Sequence, residues 1–289
     1  MATTTLTSPP PAPPARTTGT TSTVAAARTA FGALLVRDVV VLGKNLKTFI
    51  PRTLIQPFLL VFVFTYVFPR IGNGPTGAAG GAFATTLVAG VLGLSIMFQG
   101  IQAVALPLVQ EFGYTREIED RVLAPLPVSF VAVEKVVSGA IQGLIAALLV
   151  FPIAAVVPAE TVHLQIDWPI LLTLAPLAAV CCSSLGLFFG TKFDPRTVPL
   201  LFGIIVIPLT FLGCTYYAWT TLSPITVNGF AWLKTLVLVN PLVYVSEGFR
   251  AAVTTSAHMP LPAIYLALVG FTALFLWQGV VGFKNRVLS

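Results

Sequence analysis

A cluster of charged residues stands in the middle of a very apolar chain. Four carboxylates and two arginines fall within eleven residues, 111–121, and hydrophobic stretches lie on both sides. Two pairs of opposite charge, Arg116 with Asp120 and Glu117 with Arg121, are four residues apart. Each such pair stabilises a helix by about 0.2–0.5 kcal/mol. The spacing therefore predicts a short charged helix.

The residues around these pairs define where that helix begins and ends. Thr115 suits the N-cap, because its hydroxyl can accept a hydrogen bond from the first turn. Tyr114, Ile118 and Val122 recur at every fourth position and form one narrow apolar ridge. The prolines of the segment 125–127 end the helix. A rigid charged helix with an apolar ridge suits docking to a partner protein; the alternative is a solvated helix whose charges satisfy one another.

The rest of the chain carries no pattern for covalent chemistry. Neither the HExxH, GxSxG nor GxxxxGK[ST] motif occurs, so the sequence predicts no catalytic residue, no metal site and no nucleotide site of its own. His163 and His258 fall in predicted loops. The three cysteines, Cys181, Cys182 and Cys214, are predicted to be small buried hydrophobic residues. If this chain moves anything uphill, the energy must come from another chain.

Composition decides the class of protein. The chain has 289 residues, of which 56% are hydrophobic and 9% are charged, whereas a soluble domain has roughly 25% charged residues. An all-α polytopic membrane protein is therefore predicted. The net charge of +6 comes from basic residues that flank apolar stretches, which argues against nucleic acid as a partner.

Hydropathy divides the chain into a leader and one transmembrane domain. Residues 1–22 are rich in Thr, Pro, Ala and Ser and are predicted to be disordered; residues 23–289 form the domain. Residues 23–47 are predicted to form an amphipathic helix in the membrane interface, with its apolar stripe at Phe31, Leu34, Leu35, Val39 and Leu42; an ordinary juxtamembrane helix without function is the alternative. Six spans are predicted, at about 49–68, 83–106, 130–157, 168–190, 199–218 and 261–282.

The basic residues predict the orientation of these spans. Thirteen of the sixteen Lys and Arg residues fall on one side of the predicted membrane, and only Arg70, Lys234 and Arg250 fall on the other. Because cytoplasmic loops carry the excess of positive charge, both termini and the cluster 111–121 are expected in the cytoplasm.

The segment 222–257 is apolar but is interrupted by Asn240 and Pro241. Each half is short for a crossing, so two short helices that enter the outer leaflet and turn back are predicted. Pro241 suits the first turn of the second helix, and the Asn240 side chain suits its cap. Two further tilted spans are the alternative.

Two motifs and the order of spans resemble one family. The stretch EFGYTREIEDRVLAPLP, residues 111–127, and the stretch NPLVYVSEGFR, residues 240–250, are similar to segments of ABC-2 type transporter permeases. Those permeases include the membrane subunits of drug-resistance exporters and of polysaccharide or nodulation-factor exporters. The resemblance covers roughly residues 25–285.

The resemblance implies roles that periodicity alone does not show. The charged helix would be a coupling helix seated in a cytoplasmic ATPase, and the residues implied are Glu111, Tyr114, Thr115, Arg116, Glu117, Ile118, Glu119, Asp120 and Arg121. Two ATPase subunits, which bind ATP and Mg, and a second permease subunit, identical or homologous, would complete the assembly. The residues implied for the substrate path are Met97, Phe98, Gln99, Phe202, Phe211, Tyr216 and Tyr217.

The function expected from these observations is an exporter permease of the plasma (inner) membrane. A hydrophobic or amphiphilic substrate, such as a drug or lipid, is favoured because the segments 69–82 and 158–167 are short and 222–257 adds no folded domain. Export of a lipid-linked glycan is the main alternative. A membrane scaffold would use the same docking helix without transport, and a secondary transporter would need charged or broken helices at the membrane midplane.

Overall fold

The computed structural model describes residues 21–115, 127–195, 197–227 and 230–288. Every regular element in these ranges is a helix, apart from an isolated bridge between Val227 and Phe230. Nearly all of the predicted leader and most of the predicted coupling helix lie outside the described residues.

The described fold comprises a 3₁₀ turn, Trp219–Leu222, and nine further helical segments, α1 to α9. They are α1 (Thr21–Lys44), α2 (Leu46–Arg70), α3 (Gly77–Gln110), α4 (Val128–Val156), α5 (Trp168–Lys192), α6 (Val198–Leu201, Phe202–Val206 and Ile207–Phe211), α7 (Trp232–Leu236 and Val237–Val239), α8 (Pro241–Val253) and α9 (Leu261–Leu288). A π-helical turn, Glu111–Thr115, extends α3.

Five of these segments, α2, α3, α4, α5 and α9, are long and apolar enough to cross a membrane. They correspond to five of the six predicted spans. The pair α7 and α8 becomes a sixth candidate if it counts as one bent span, with a bend of 98° between its halves. This geometry fits either a broken span or a re-entrant loop, so the re-entrant assignment stays a prediction.

The predicted fifth span, 199–218, is shorter in the structure. Helix α6 ends at Phe211, which gives it a length of about 21 Å at 1.5 Å per residue. Prolines at 199 and 208 remove hydrogen-bond donors, and the chain turns at Gly213 and Cys214, where Cys214 has a φ of 53°. The hydropathy of residues 212–218 therefore reflects a buried turn and not a continued helix.

Helix α3 is the central helix of the bundle and packs closely on its neighbours through glycines. A Cβ atom built at Gly186 of α5 would lie 2.7 Å from the Ile101 carbonyl oxygen, and one at Gly139 of α4 would lie 2.5 Å from Val104 Cγ2. Small residues let helix backbones approach this closely. The GxxxG pairs Gly139 and Gly143 of α4 and Gly186 and Gly190 of α5 thus pack within the chain.

Two ends of the bundle can be distinguished. The α1 end holds Gln110, Val128 and the last turns of α5 and α9; there Phe31 of α1 packs with Val136 of α4 and Phe283 of α9. The hairpin end holds the start of α3, the end of α4 and the α7–α8 bend. Both described ends of the chain therefore lie at the α1 end.

Helix α1 lies against the bundle along most of its predicted stripe. Phe31, Leu34, Leu35 and Leu42 are half-buried, whereas Val39 is 46% exposed. Phe31 and Leu34 contact the core cluster of the α1 end. Its location in a membrane interface stays a prediction.

Candidate functional site

A cavity of about 470 Å³ lies at the α1 end, between α1, α2, α3 and α4. Ligand sites in proteins commonly measure about 300–1,000 Å³. Its polar lining includes Arg37, Arg52, Gln99, Gln102, Lys135 and Gln142. These side chains stand on helices that are otherwise apolar, so their concentration at one place marks a candidate site.

A series of hydrogen bonds joins the polar groups of this cavity. The Arg52 guanidinium donates to Gln102 Oε1 at 3.1 Å, and Thr53 Oγ1 donates to Gln99 Oε1 at 3.2 Å. Gln99 Nε2 in turn donates to Gln142 Oε1 at 3.4 Å. The bonds connect α2 to α3 and α3 to α4, and they hold the amide groups in place at the cavity wall.

Two acidic residues lie among the cations of the cavity. Asp38 is 3.6 Å from the Arg37 guanidinium, and Lys135 donates a hydrogen bond to Glu111 Oε1. The Glu111 and Lys135 side chains are almost completely buried. A buried carboxylate and ammonium are tolerated only when they are paired, so this pair fixes the start of α4 against the end of α3.

A smaller space of about 30 Å³ continues from the cavity into the bundle. It shares Arg52, Gln99 and Gln102 with the cavity and adds Gln56 and Ser95. A space of this size holds about one water molecule. The polar lining therefore reaches from the α1 end towards the middle of α3.

The predicted coupling residues are only partly described. Glu111 lines the cavity, and Tyr114 and Thr115 belong to the π-helical turn that ends the described part of α3. Arg116, Glu117, Ile118, Glu119, Asp120 and Arg121 lie outside the described residues, and their coupling role stays a prediction.

The hairpin end contains a buried ion pair that sequence reasoning missed. Glu247 and Arg250 of α8 are both completely buried and are hydrogen-bonded to each other. Glu247 also accepts hydrogen bonds from the backbone amides of Trp219 and Met259, each at 2.8 Å. Arg250 is predicted on the outer side of the membrane, in the second short helix of 222–257, and no partner is predicted for it. Opposite charges three residues apart in an apolar segment are the signal that indicates a buried pair.

The bend between α7 and α8 has the cap that the Asn-Pro pair predicts. Asn240 Oδ1 accepts a hydrogen bond from the Leu242 amide at 2.9 Å, and Pro241 occupies the first turn of α8. Asn240 Nδ2 also donates to the Leu209 carbonyl of α6 at 2.7 Å. The side chain therefore fixes α6 against the start of α8.

The comparison with known families decides the assignment. Residues 29–254 match the family described as ABC-2 type transporter. The chain belongs to the ABC-2 type transporter family. The matched residues include both motifs that suggested the resemblance, and they extend from α1 to the end of α8.

This ABC-2 chain is also similar to inner membrane permeases of bacteria. The inner membrane transport permease YadH of Escherichia coli K12 is 28% identical over 230 residues, which cover 78% of this chain and 84% of the relative. YadH proteins of Escherichia coli O157:H7 and Shigella flexneri match with the same identity and coverage.

Five of the seven path residues implied by the ABC-2 resemblance fall into two groups. Gln99 lines the cavity, and Phe98 lines the smaller space beside it. Phe211 and Tyr216 lie near the hairpin end with their ring centroids 5.8 Å apart, and Tyr217 Oη donates to the Phe211 carbonyl at 2.9 Å.

The remaining two path residues pack inside this ABC-2 fold. Met97 is completely buried in the core, and Phe202 is partly buried against it. Gln102 and Gln142 line the cavity but were not selected from the sequence. Polar amides that recur within apolar spans are the signal that would have found them.

Proposed function

We propose that this chain is the membrane subunit of an ATP-driven exporter that moves a hydrophobic or amphiphilic molecule out of the cytoplasm or the inner leaflet. Two copies of a separate ABC ATPase would supply the energy, and a second permease subunit would complete the path. The name of the relatives, inner membrane transport permease, supports a location in the inner membrane.

One observation carries the proposal: Glu111 belongs both to the cavity wall and to the charged segment 111–121. Its carboxylate is bonded to Lys135, so α3 and α4 are joined at the point where the segment leaves the bundle. A partner that binds the segment would therefore act directly on two walls of the cavity. Such a contact can shift the cavity between two states when the ATPase closes.

The proposed orientation follows from charge. Basic residues concentrate at the α1 end, which would then face the cytoplasm and the ATPase. The cavity would open on the same side, where a substrate from the cytoplasm or the inner leaflet can enter. The loops 71–76 and 157–167 are short, which favours direct export of a small amphiphile over transfer to a large external domain.

The test uses the complex that co-purifies with a tag on this chain. ATP hydrolysis is measured in lipid nanodiscs for the wild-type complex and for the Glu117→Lys variant. We expect the wild-type complex to contain an ATPase subunit whose hydrolysis depends on this chain. The Glu117→Lys variant should lose most of that dependence, because the reversed charge opposes docking.

A matched control changes a carboxylate at the same end of the bundle. Asp194 follows α5 and its side chain is 85% exposed, so its 3.8 Å contact with Arg286 contributes little to stability. Asp194→Lys therefore makes the same charge change outside the segment 111–121. We expect its hydrolysis to equal that of the wild type. An equal loss in both variants, or no ATPase in the purified complex, would contradict the proposed coupling.

A further inference from the structure

Among the described residues that line the cavity at the α1 end, one cation is not paired with a carboxylate. In the described part of the chain, the cavity lining contains three cations and two carboxylates; Asp38 lies beside Arg37, and Glu111 is bonded to Lys135. Arg52 forms no ion pair with any carboxylate that the structure describes. A guanidinium has five N–H donors, and the described hydrogen bond from Arg52 to Gln102 uses one.

Two glutamines beside Arg52 also have donors available. The amide oxygens of Gln102 and Gln142 accept hydrogen bonds, from Arg52 and Gln99 respectively. Their amide nitrogens donate no hydrogen bond to any residue in the described part of the chain. Because both side chains line the cavity, a group that accepts hydrogen bonds can satisfy them there.

An apolar surface begins next to Arg52 on the same helix. Ile55 and Leu59 lie three and seven residues after Arg52, so the three side chains share one face of α2. Ile55 is 59% exposed and Leu59 is 48% exposed. The face therefore passes from a cation at the cavity to apolar side chains farther along α2, towards the hairpin end.

We propose that the cavity binds the oxyanion head group of an amphiphile, with Arg52 as the charged anchor and Gln102 and Gln142 as neutral donors. An arginine fork matches the geometry of phosphate and carboxylate oxygens. The cavity of about 470 Å³ has room for a head group, while the tail lies along Ile55 and Leu59. The inference rests on the proposed function, since it names the substrate class of that transporter.

The experiment measures binding to the purified chain alone, in micelles of a zwitterionic detergent. Radiolabelled phosphatidylglycerol is the probe, and scintillation proximity reports the bound fraction. We expect Arg52→Gln to weaken binding roughly tenfold or more, because a charge-assisted hydrogen bond is lost. Arg52→Lys should recover part of the affinity, because it restores the charge without the fork.

Two further variants separate binding from folding. Gln102→Glu places a carboxylate beside Arg52, so the guanidinium is neutralised within the protein while its position is kept; lipid binding should fall as in Arg52→Gln. Arg70→Gln removes an exposed arginine at the opposite end of α2, which contacts Tyr66 and does not line the cavity. Its binding should equal that of the wild type. Equal loss in Arg52→Gln and Arg70→Gln would overturn the site.

Unlabelled competitors identify the chemical class. Phosphatidylglycerol should displace the probe far better than phosphatidylcholine or the neutral sugar amphiphile dodecyl maltoside. Equal competition by dodecyl maltoside would overturn the oxyanion assignment in favour of a glycan head group. Displacement by inorganic phosphate at the same concentration as the lipid would overturn the amphiphile assignment in favour of a free oxyanion.

The outcome of the lipid-binding experiment is independent of the outcome of the ATPase experiment. Binding that depends on Arg52 stands even if Glu117→Lys leaves hydrolysis unchanged, in which case the proposed coupling fails and the binding site remains. Regulated hydrolysis without Arg52-dependent binding would overturn this inference and leave the proposed function intact.

Discussion

Glu247 and Arg250 form a completely buried ion pair that connects three segments of the hairpin end. The Glu247 carboxylate accepts from the amide of Trp219, after α6, and from that of Met259, before α9. The Arg250 guanidinium donates to the Cys214 carbonyl at 3.0 Å. The pair lies on α8, so two side chains on that helix hold the turn after α6 and the start of α9.

The first prediction concerns the loss of this pair's negative charge. Glu247→Gln should lower the free energy of unfolding by about 3–5 kcal/mol, because Arg250 then becomes an uncompensated buried charge. The glutamine NH₂ group also cannot accept from a backbone amide, so one of the two amide hydrogen bonds is lost. Heating of the purified chain, followed by size-exclusion chromatography, measures the fall in apparent Tm.

A double variant serves as its control. Glu247→Gln with Arg250→Met removes both charges, and its loss of stability should be smaller than the sum of the two single losses. Additive losses would show that the two side chains do not stabilise each other.

The second prediction concerns the glycine contact between α3 and α5. Gly186→Ala should destabilise the chain by about 1–3 kcal/mol, because the new methyl group would lie 2.7 Å from the Ile101 carbonyl oxygen. Gly270→Ala is the matched control, since no atom lies within 4 Å of a Cβ built at Gly270. The same thermal assay compares the two variants, and an unchanged Tm for Gly186→Ala would refute the close contact.

The third prediction concerns the Asn240 cap. Asn240→Ala removes the bond to the Leu242 amide and the bond to the Leu209 carbonyl, so stability should fall by about 1–2 kcal/mol. Asn45 precedes α2 in the same cap position but makes no side-chain cap hydrogen bond. Asn45→Ala should therefore leave the Tm nearly unchanged, and equal effects of the two variants would contradict the structural role of Asn240.

The fourth prediction tests the orientation. Ala159 is exposed at the hairpin end, and Asp194 is exposed at the α1 end. In intact spheroplasts, a membrane-impermeant maleimide should label the A159C variant and should label the D194C variant only after lysis. The native cysteines are buried, so the wild-type chain should stay unlabelled in both conditions. Labelling of D194C before lysis would reverse the proposed orientation.

Hydropathy predicted the long helices well, because a continuous apolar stretch in a membrane must satisfy its backbone hydrogen bonds internally, and a helix does so. It did not predict the end of α6, where the residues after Phe211 are apolar but form a turn around Gly213. That turn is stabilised from a distance, by Arg250, which is 36 residues away from Cys214. A local pattern contains no information about such a partner.

Sequence patterns also predicted the candidate site only in part, because its residues come from distant parts of the chain. Gln99 was selected from the sequence, but the cavity also depends on Gln102 and Gln142, and the latter stands on a different helix. Glutamines in separate spans reveal a common site only when the rotation of each helix is known. The glycine contacts set that rotation, and their partner atoms on α3 include the Ile101 carbonyl oxygen and Val104 Cγ2.

The length and the close packing of helix α3 have a mechanical consequence for the whole molecule. Its 34 residues extend about 51 Å, from the cavity at one end to the hairpin contacts at the other. At Gly90 the backbone of Thr215 rests directly on the helix, with no side chain between them that could absorb a displacement. We therefore expect that a shift of Gln110 along the helix axis also displaces Thr215, so that a change at one end of the bundle is coupled to a change at the other.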